Sequence, residues 1–233
     1  MRRSLVSLPY RSVDEAMAMQ NVVIVSDGLF GLEIFSILEQ INKWNAQRDR
    51  EQPYHIDGFV LLDETGVERE NFPIAVLGTV RDWTPAEGVN VVLGVKDPAR
   101  KRLAVTLLRE KNTRFETVVA PWMLAFPKWL TLGEGCVFAP YSAKPELVVG
   151  NFATVLHSMV SGHRIGEYST VMRYANIAGE EVGNDCFVGD HVFLAVGKNI
   201  GDGCVVDPGS LVVKNLRPGT HVCGVPAKSV REK

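Results

Sequence analysis

Five histidines stand in the chain: His55, His157, His163, His191 and His221. Imidazole titrates closest to neutral pH of all side chains, so each is a candidate for moving protons. His163 and His157 are the two candidates for a base, which would take the proton of an attacking amine or hydroxyl; His191 receives no role. The four cysteines, Cys136, Cys186, Cys204 and Cys223, include no CxxC pair, which excludes a zinc knuckle and a dithiol redox motif. A nucleophile elbow of the GxSxG type is also missing.

A second chemical feature lies near the start. The apolar run Val22-Val23-Ile24-Val25 leads into Gly28-Leu29-Phe30-Gly31, and Phe30, Ile34, Leu38 and Ile41 then recur at helical spacing. A glycine turn between strand and helix exposes amide N–H groups, so Gly28 and Gly31 could cradle a phosphate or a ribose. Asp63 and Glu64 end the next predicted strand, which runs from Gly58 to Leu62.

These groups need a scaffold, and 233 residues with 46% hydrophobic and 22% charged content can bury one. Twenty-five basic against 27 acidic side chains give a formal charge of -2, so no global positive field exists for nucleic acid or an anionic membrane. Apolar runs fall well short of the roughly 20 residues that span a bilayer. The opening Met1-Arg2-Arg3-Ser4 meets Pro9 and Arg11 before a signal-like apolar segment can form, and a cytoplasmic location is expected.

From Asn21 to about Pro121, short β-rich runs alternate with helical patterns, which predicts an α/β unit with a parallel sheet. Further strands are expected near Ile74 to Leu77 and at Val89 to Val95. Asp97 and Pro98 suit the cap and first position of a helix, with Leu103, Leu107 and Leu108 as its expected buried stripe. Phe115 to Val119 would close this half.

After Lys128 the period changes. Leu132, Phe138, Val149, Val155, Ser161, Ile165, Val171, Ile177, Val182, Val188, Leu194, Ile200, Val206 and Val212 form a ladder dominated by steps of six. Neither 3.6 nor 2 produces that spacing, whereas one short strand per six residues, coiled into stacked parallel sheets, does. Small residues hold the fifth position of the hexad, among them Cys136, Cys186 and Cys204, so three cysteines read as interior filling. Between four and five coils are expected over residues 130 to 214, too narrow to form a groove by curvature. Binding should therefore sit at edges or between subunits.

The ladder, the ending Val212-Val213-Lys214-Asn215-Leu216-Arg217-Pro218-Gly219 and the motif Gly224-Val225-Pro226-Ala227-Lys228 resemble the left-handed β-helix acyltransferases. Ser26-Asp27-Gly28 through Glu33, Leu62-Asp63-Glu64, Val76-Leu77-Gly78, Leu93-Gly94 and Arg100 narrow the match. They are similar to the sugar O-acyltransferase and nucleotide-amino-sugar N-acetyltransferase family of sialic-acid and bacillosamine pathways. That resemblance implies a Rossmann-like α/β domain (21–121), a left-handed parallel β-helix (122–214) and a CoA-contacting tail (215–233), with residues 1–20 unexplained.

It also implies a homotrimer with sites between subunits, acetyl-CoA as acyl donor, a nucleotide-linked sugar as acceptor and no metal. His163 matches the family's base if two residues are deleted; ungapped, Ser161 would take its place. Gly28, Leu29, Phe30, Gly31, Asp63 and Glu64 would meet the sugar nucleotide, and Gly179, Gly197, Lys214, Gly224, Pro226, Ala227 and Lys228 would meet CoA. The last 20 residues carry Lys214, Arg217, Lys228, Arg231 and Lys233 against Glu232, a count of five minus one that suits a polyanion. Direct attack on the thioester is favoured over an acyl-enzyme. Departures from the pattern are Arg164 for an orienting acid, Thr170 for a second histidine and Leu156 for an asparagine. They motivate a rival reading, a decayed nucleotide- and CoA-binding module. A third reading is a zinc enzyme of the carbonic-anhydrase type, with His157 and His163 as ligands.

Overall fold

The computed structural model describes residues 19–63, 69–123 and 130–230. Most of residues 1–20 and Glu64 thus lie outside the described residues. The chain begins with β1 (Gln20–Ser26), α1 (Phe30–Ala46), β2 (Tyr54–Leu61), β3 (Val76–Thr79), β4 (Val89–Gly94), α2 (Pro98–Glu110) and β5 (Arg114–Phe115). All pairings are parallel and the spatial order is β3-β2-β1-β4-β5. Chain direction across the sheet therefore reverses between β1 and β4, and the C-terminal ends of these two strands open a crevice there.

Both central strands are buried on both faces, as their unbroken apolar runs require. α1 covers one face, packing Phe30, Ile34, Leu38 and Ile41 against Ile24, Phe59 and Val92. α2 covers the other, with Ala104, Val105 and Leu108 against Val25, Val60 and Leu93. The expected stripe on α2 needs correction: Leu103 is half exposed, and the buried face is Lys101, Ala104, Val105 and Leu108. Only Leu108 of the expected three lies in the buried row, which has the spacing i, i+3, i+4, i+7 and a lysine in its first place.

β6 (Val118–Val119) leaves this unit and pairs with Val137–Ala139, a strand in the first coil of a parallel β-helix. Five coils follow, each with three two- or three-residue strands. Face I holds Thr131–Leu132, Val148–Val149, Arg164–Ile165, Glu181–Val182 and Asn199–Ile200. Face II holds Val137–Ala139, Thr154–Leu156, Thr170–Val171, Phe187–Val188 and Val205–Val206, with β6 at one end and His221–Cys223 and Lys228–Ser229 at the other. Face III holds Ser142–Ala143, Met159–Val160, Asn176–Ile177, Phe193–Leu194 and Leu211–Val212.

Ladder residues and the small fifth-position residues fill one continuous core, including Cys136, Cys186 and Cys204. Burial pushes the Cys136 and Cys186 thiols up to about 12, which removes them as nucleophiles at neutral pH. One rung differs from expectation. Val160 points inward and Ser161 is exposed, because the turn from face III to face I takes five residues here, from Val160 to Ile165. The step from Val155 to Val160 is also five, so the two residues missing before Ile165 are lost one at each of two successive turns, and the five-residue step recurs from Ile177 to Val182.

The α/β unit and the β-helix share buried surface on the outside of face II. Val137, Ala139, Leu156 and Met172 join the α1 cluster, while Phe152 joins that of α2. Paired charges tie the rim: Arg102 grips Asp185 at 2.5 and 2.7 Å, and Arg109 meets Glu134 at 2.7 Å. Lys101 reaches through this contact to the hydroxyls of Thr154 and Thr170, at 3.0 and 2.9 Å. Burial, opposed weakly by Cys136, Asp97 and Asp185, pulls its ammonium down to about 7.

Candidate functional site

Three groupings carry the chemistry, and the first lies at the β1 and β4 crevice. Gly28 turns with φ +66° and open space around it, which a side chain could enter only with strain. Leu29 is exposed beside it, whereas Phe30 is buried in the α1 core and offers only its backbone to a ligand. Gly31 has a packing role: a Cβ there would collide with the Ser26 side chain, and one on Gly94 would sit 2.8 Å from the Gly31 Cα. Helix and sheet therefore approach closely, and α1 starts without a side-chain cap, which leaves its positive end facing the crevice.

Arg100, in the first turn of α2, closes the crevice from the side. Its Nε and Nη2 donate to both Asp27 oxygens at 2.7 Å, and Nη2 also donates to Asp63 Oδ2 at 2.8 Å. These hydrogen bonds push the guanidinium further up from its ordinary value. One cation thus holds together the ends of β1 and β2 and the start of α2.

The second grouping lies at the corner between faces III and I. His163 Nδ1 is 2.8 Å from Glu180 Oε2, and Lys144 Nζ is 2.6 Å from His163 Nε2. An ammonium can only donate, so Nε2 accepts and the ring proton rests on Nδ1, facing the carboxylate. The acid that orients the imidazole is therefore Glu180, one coil further along, and not the neighbour at 164. Arg164 instead pairs with Glu181 at 2.7 Å on the outside of face I. Gly179 is buried at the same corner, where a Cβ would strike the Lys198 carbonyl and Leu194.

The third grouping lies at the other edge of face III, at the corner with face II. Tyr141, His157, Tyr174 and His191 occupy it on successive coils, with Tyr141 5.3 Å from His157 and Tyr174 stacked on His191 at 4.9 Å between ring centroids. His157, Tyr174 and His191 all have positive φ, where Gly209 stands on the next coil. Beside His157 a pocket of ≈ 370 Å³ opens, lined by Gln40 of α1, Trp122, Tyr141 and His157. Burial, helped by the nearby Arg173, lowers the His157 imidazole from its ordinary value and keeps it neutral.

Of the residues expected to meet CoA, Gly197 (φ +68°) and Lys214 lie exposed near the helix end. Gly224 (φ +95°), Pro226, Ala227 and Lys228 form the final turn, pinned by the Gly224 carbonyl accepting from Leu211 N and by Ala227 N donating to the Leu211 carbonyl. His157 and His163 stand at different corners. No group of three histidine, cysteine or acidic side chains able to hold a metal occurs among the described residues.

Sequence reading missed Glu180, Lys144, Gln40, Trp122 and Tyr141. The first two had a signal, since Lys144, His163 and Glu180 recur at about one coil.

No family model matches the chain. Among curated sequences, galactoside O-acetyltransferase of Escherichia coli K12 is 39% identical over 51 residues, covering 22% of this chain and 25% of that protein. Bifunctional protein GlmU of Clostridium kluyveri is 26% identical over 191 residues, 76% of this chain and 41% of its own length. Chloramphenicol acetyltransferase of Agrobacterium fabrum is 30% identical over 115 residues, 40% and 55%. The chain thus spans between a quarter and about half of the length of these relatives.

Solved structures cover nearly all of it. The acetyltransferase domain of PglB from Neisseria gonorrhoeae superposes with a TM-score of 0.63 at 15% identity, over 91% of this chain and 100% of the other. PerB from Caulobacter crescentus, solved with CoA and GDP-perosamine, gives 0.60 at 19% identity over 92% and 99%. These likenesses show the fold, a left-handed parallel β-helix behind a parallel-sheet unit.

Proposed function

We propose that the chain is an acetyl-CoA-dependent acyltransferase that acetylates an amino or hydroxyl group on a nucleotide-linked sugar. The observation that carries this reading is the imidazole held between Glu180 and Lys144, on a β-helix joined to a parallel sheet with an open glycine turn. In this reading residues 21–121 form a Rossmann-like nucleotide-sugar domain, 122–214 the acyl-transfer domain and 215–233 the CoA tail, and the enzyme works in the cytoplasm. The uncapped start of α1 and the Gly28 turn suit the diphosphate. Asp63, held by Arg100, faces the nucleoside.

Chemistry proceeds by direct attack. His163, oriented by Glu180, takes the proton of the acceptor amine or hydroxyl at Nε2 once Lys144 swings away, and the Gly179 amide steadies the oxyanion. The acceptor nitrogen or oxygen bonds to the acetyl carbonyl carbon, the thioester C–S bond breaks, and CoA leaves as the thiolate, which takes up the proton from His163. The departures from the family pattern have structural employment: Thr170 binds Lys101, Leu156 packs in the α1 cluster, and Arg164 pairs with Glu181. They therefore give little support to a decayed module.

A homotrimer is part of the reading. The outer surface of face III exposes Met159 and Phe193, with Tyr174, Val196 and Val213 at its edges, whereas face I presents the Arg164–Glu181 pair. Exposed apolar surface of that kind marks an interface. Mass spectrometry after incubation with acetyl-CoA and a panel of nucleotide-linked amino and neutral sugars tests the function. An acetyl adduct that disappears with His163→Ala supports it; no adduct from any sugar, with both ligands bound, sinks it in favour of a binding module.

A further inference from the structure

The pocket at the corner of faces II and III is absorbed by none of the roles above. Its wall combines two large aromatic surfaces, Trp122 and Tyr141, with the carboxamide of Gln40 and the imidazole of His157. None of the four carries a formal charge, since His157 is kept neutral by its half-buried position. The nearest cation, Arg173, is already paired with Asp190 and Glu33, so a polyanion such as CoA or a diphosphate finds no free counter-charge there. A neutral ring with apolar C–H faces and a polar edge does find partners: the faces lie on Trp122 and Tyr141, and hydroxyls exchange hydrogen bonds with Gln40 and His157.

Shape points the same way. Tyr141 and His157 are inclined by 42° at 5.3 Å between centroids, so they pack against each other and leave no slot between them for a flat base. The volume of ≈ 370 Å³ lies within the range of small-molecule sites. The histidine is also costly where it stands. At φ +41° a glycine would be at ease, and Gly209 takes that role at the same corner, so an imidazole at 157 stands against the backbone preference.

We propose that Gln40, Trp122, Tyr141 and His157 form a saccharide subsite that holds the pyranose ring of the acceptor. This rests on the transferase reading. His157 and His163 flank the same face III strand, Met159–Val160, so they stand at one height along the helix axis. In a cyclic trimer with face III toward the threefold axis, one edge of that face turns to each neighbour. The saccharide pocket of one copy then faces the His163 corner of the next, and the acceptor bridges the two.

The test is saturation-transfer NMR and titration of the full chain with methyl glycosides of amino and neutral hexoses, with nucleoside diphosphates and acetyl-CoA titrated in parallel. Trp122→Ala and His157→Gln should each raise the glycoside Kd at least tenfold and leave the acetyl-CoA Kd within twofold. Gln40→Ala, on the exposed side of α1, should raise it about threefold without touching the fold. Unchanged glycoside affinity in all three variants overturns the subsite, as does displacement of the glycoside by a free nucleobase. Acetyl transfer that persists undiminished in them would leave the transferase standing and remove only the subsite. Glycoside binding that depends on Trp122 and His157, in a protein without any transfer, would keep the subsite and remove the enzyme.

Discussion

His163 Nδ1 lies 2.8 Å from Glu180 Oε2 although the two residues belong to consecutive coils. Parallel coiling brings them together, because each turn of the helix stacks like positions in register. An orienting carboxylate is worth having only if the imidazole acts. Glu180→Gln should therefore lower kcat for acetyl transfer about tenfold with KM for acetyl-CoA unchanged, and His163→Ala should lower it by about 10² to 10⁴. Steady-state kinetics checks both, and a fully active His163→Ala would move the base elsewhere.

Lys101 makes the contact between the two units pH-dependent. In the folded chain its ammonium titrates at about 7 because burial penalises the charge, and in the unfolded chain at 10.5. Between these values the folded state binds fewer protons, so this residue's contribution rises with pH across the window, and its penalty is complete below 7. Each unit in the window is worth about 1.4 kcal/mol. Urea unfolding of the native protein and of Lys101→Met at several pH values from 6 to 9.5 should show the variant ahead at low pH and the gap closing above 7. Parallel curves would mean that the lysine stays charged in the folded state across this range.

Gly31 and Ser26 make a coupled pair at the start of α1. A methyl group at 31 meets the Ser26 side chain, so Gly31→Ala should cost about 1 to 3 kcal/mol. Adding Ser26→Gly removes the obstructing atoms and should recover most of that loss. A double-mutant cycle by thermal unfolding reads the coupling directly. Additive effects would show that the strain comes from contacts other than the Ser26 side chain.

Periodicity exposed the scaffold, and it did so unevenly. The α1 stripe and the β-helix ladder are legible because apolar residues repeat at fixed intervals, one on a helix and one on a coil. α2 was misread since a lysine stands in its buried row, and nothing in a hydrophobic pattern announces a lysine satisfied by threonine hydroxyls from the other unit. At 161 the ladder slipped because turn length varies by one residue between coils. The candidate site divides in the same manner. Gly28, Gly179 and His163 are visible as types in a local string, whereas Glu180, Arg100 clasping Asp27 and Asp63, and the Gln40 and Trp122 walls arise only when distant segments meet. Stacking the sequence by coil would have revealed Lys144 and Tyr141, and no such trick reaches Trp122.

Face III decides whether the site is shared between copies. Its exposed Met159 and Phe193 would face solvent in a monomer, at odds with the paired charges on the outside of face I. Replacing one of them by a carboxylate puts an uncompensated charge at each contact around a threefold axis, which burial makes far more costly than at a free surface. Phe193→Glu should therefore shift the sedimentation profile from trimer to monomer. Monomers should lose transfer activity at least 100-fold while the nucleotide still binds the α/β unit of each chain, because that crevice is complete within one copy. A trimer that survives Phe193→Glu would place the interface on another face, and full activity in a dissociated monomer would mean that the His163 corner and the pocket serve a single chain.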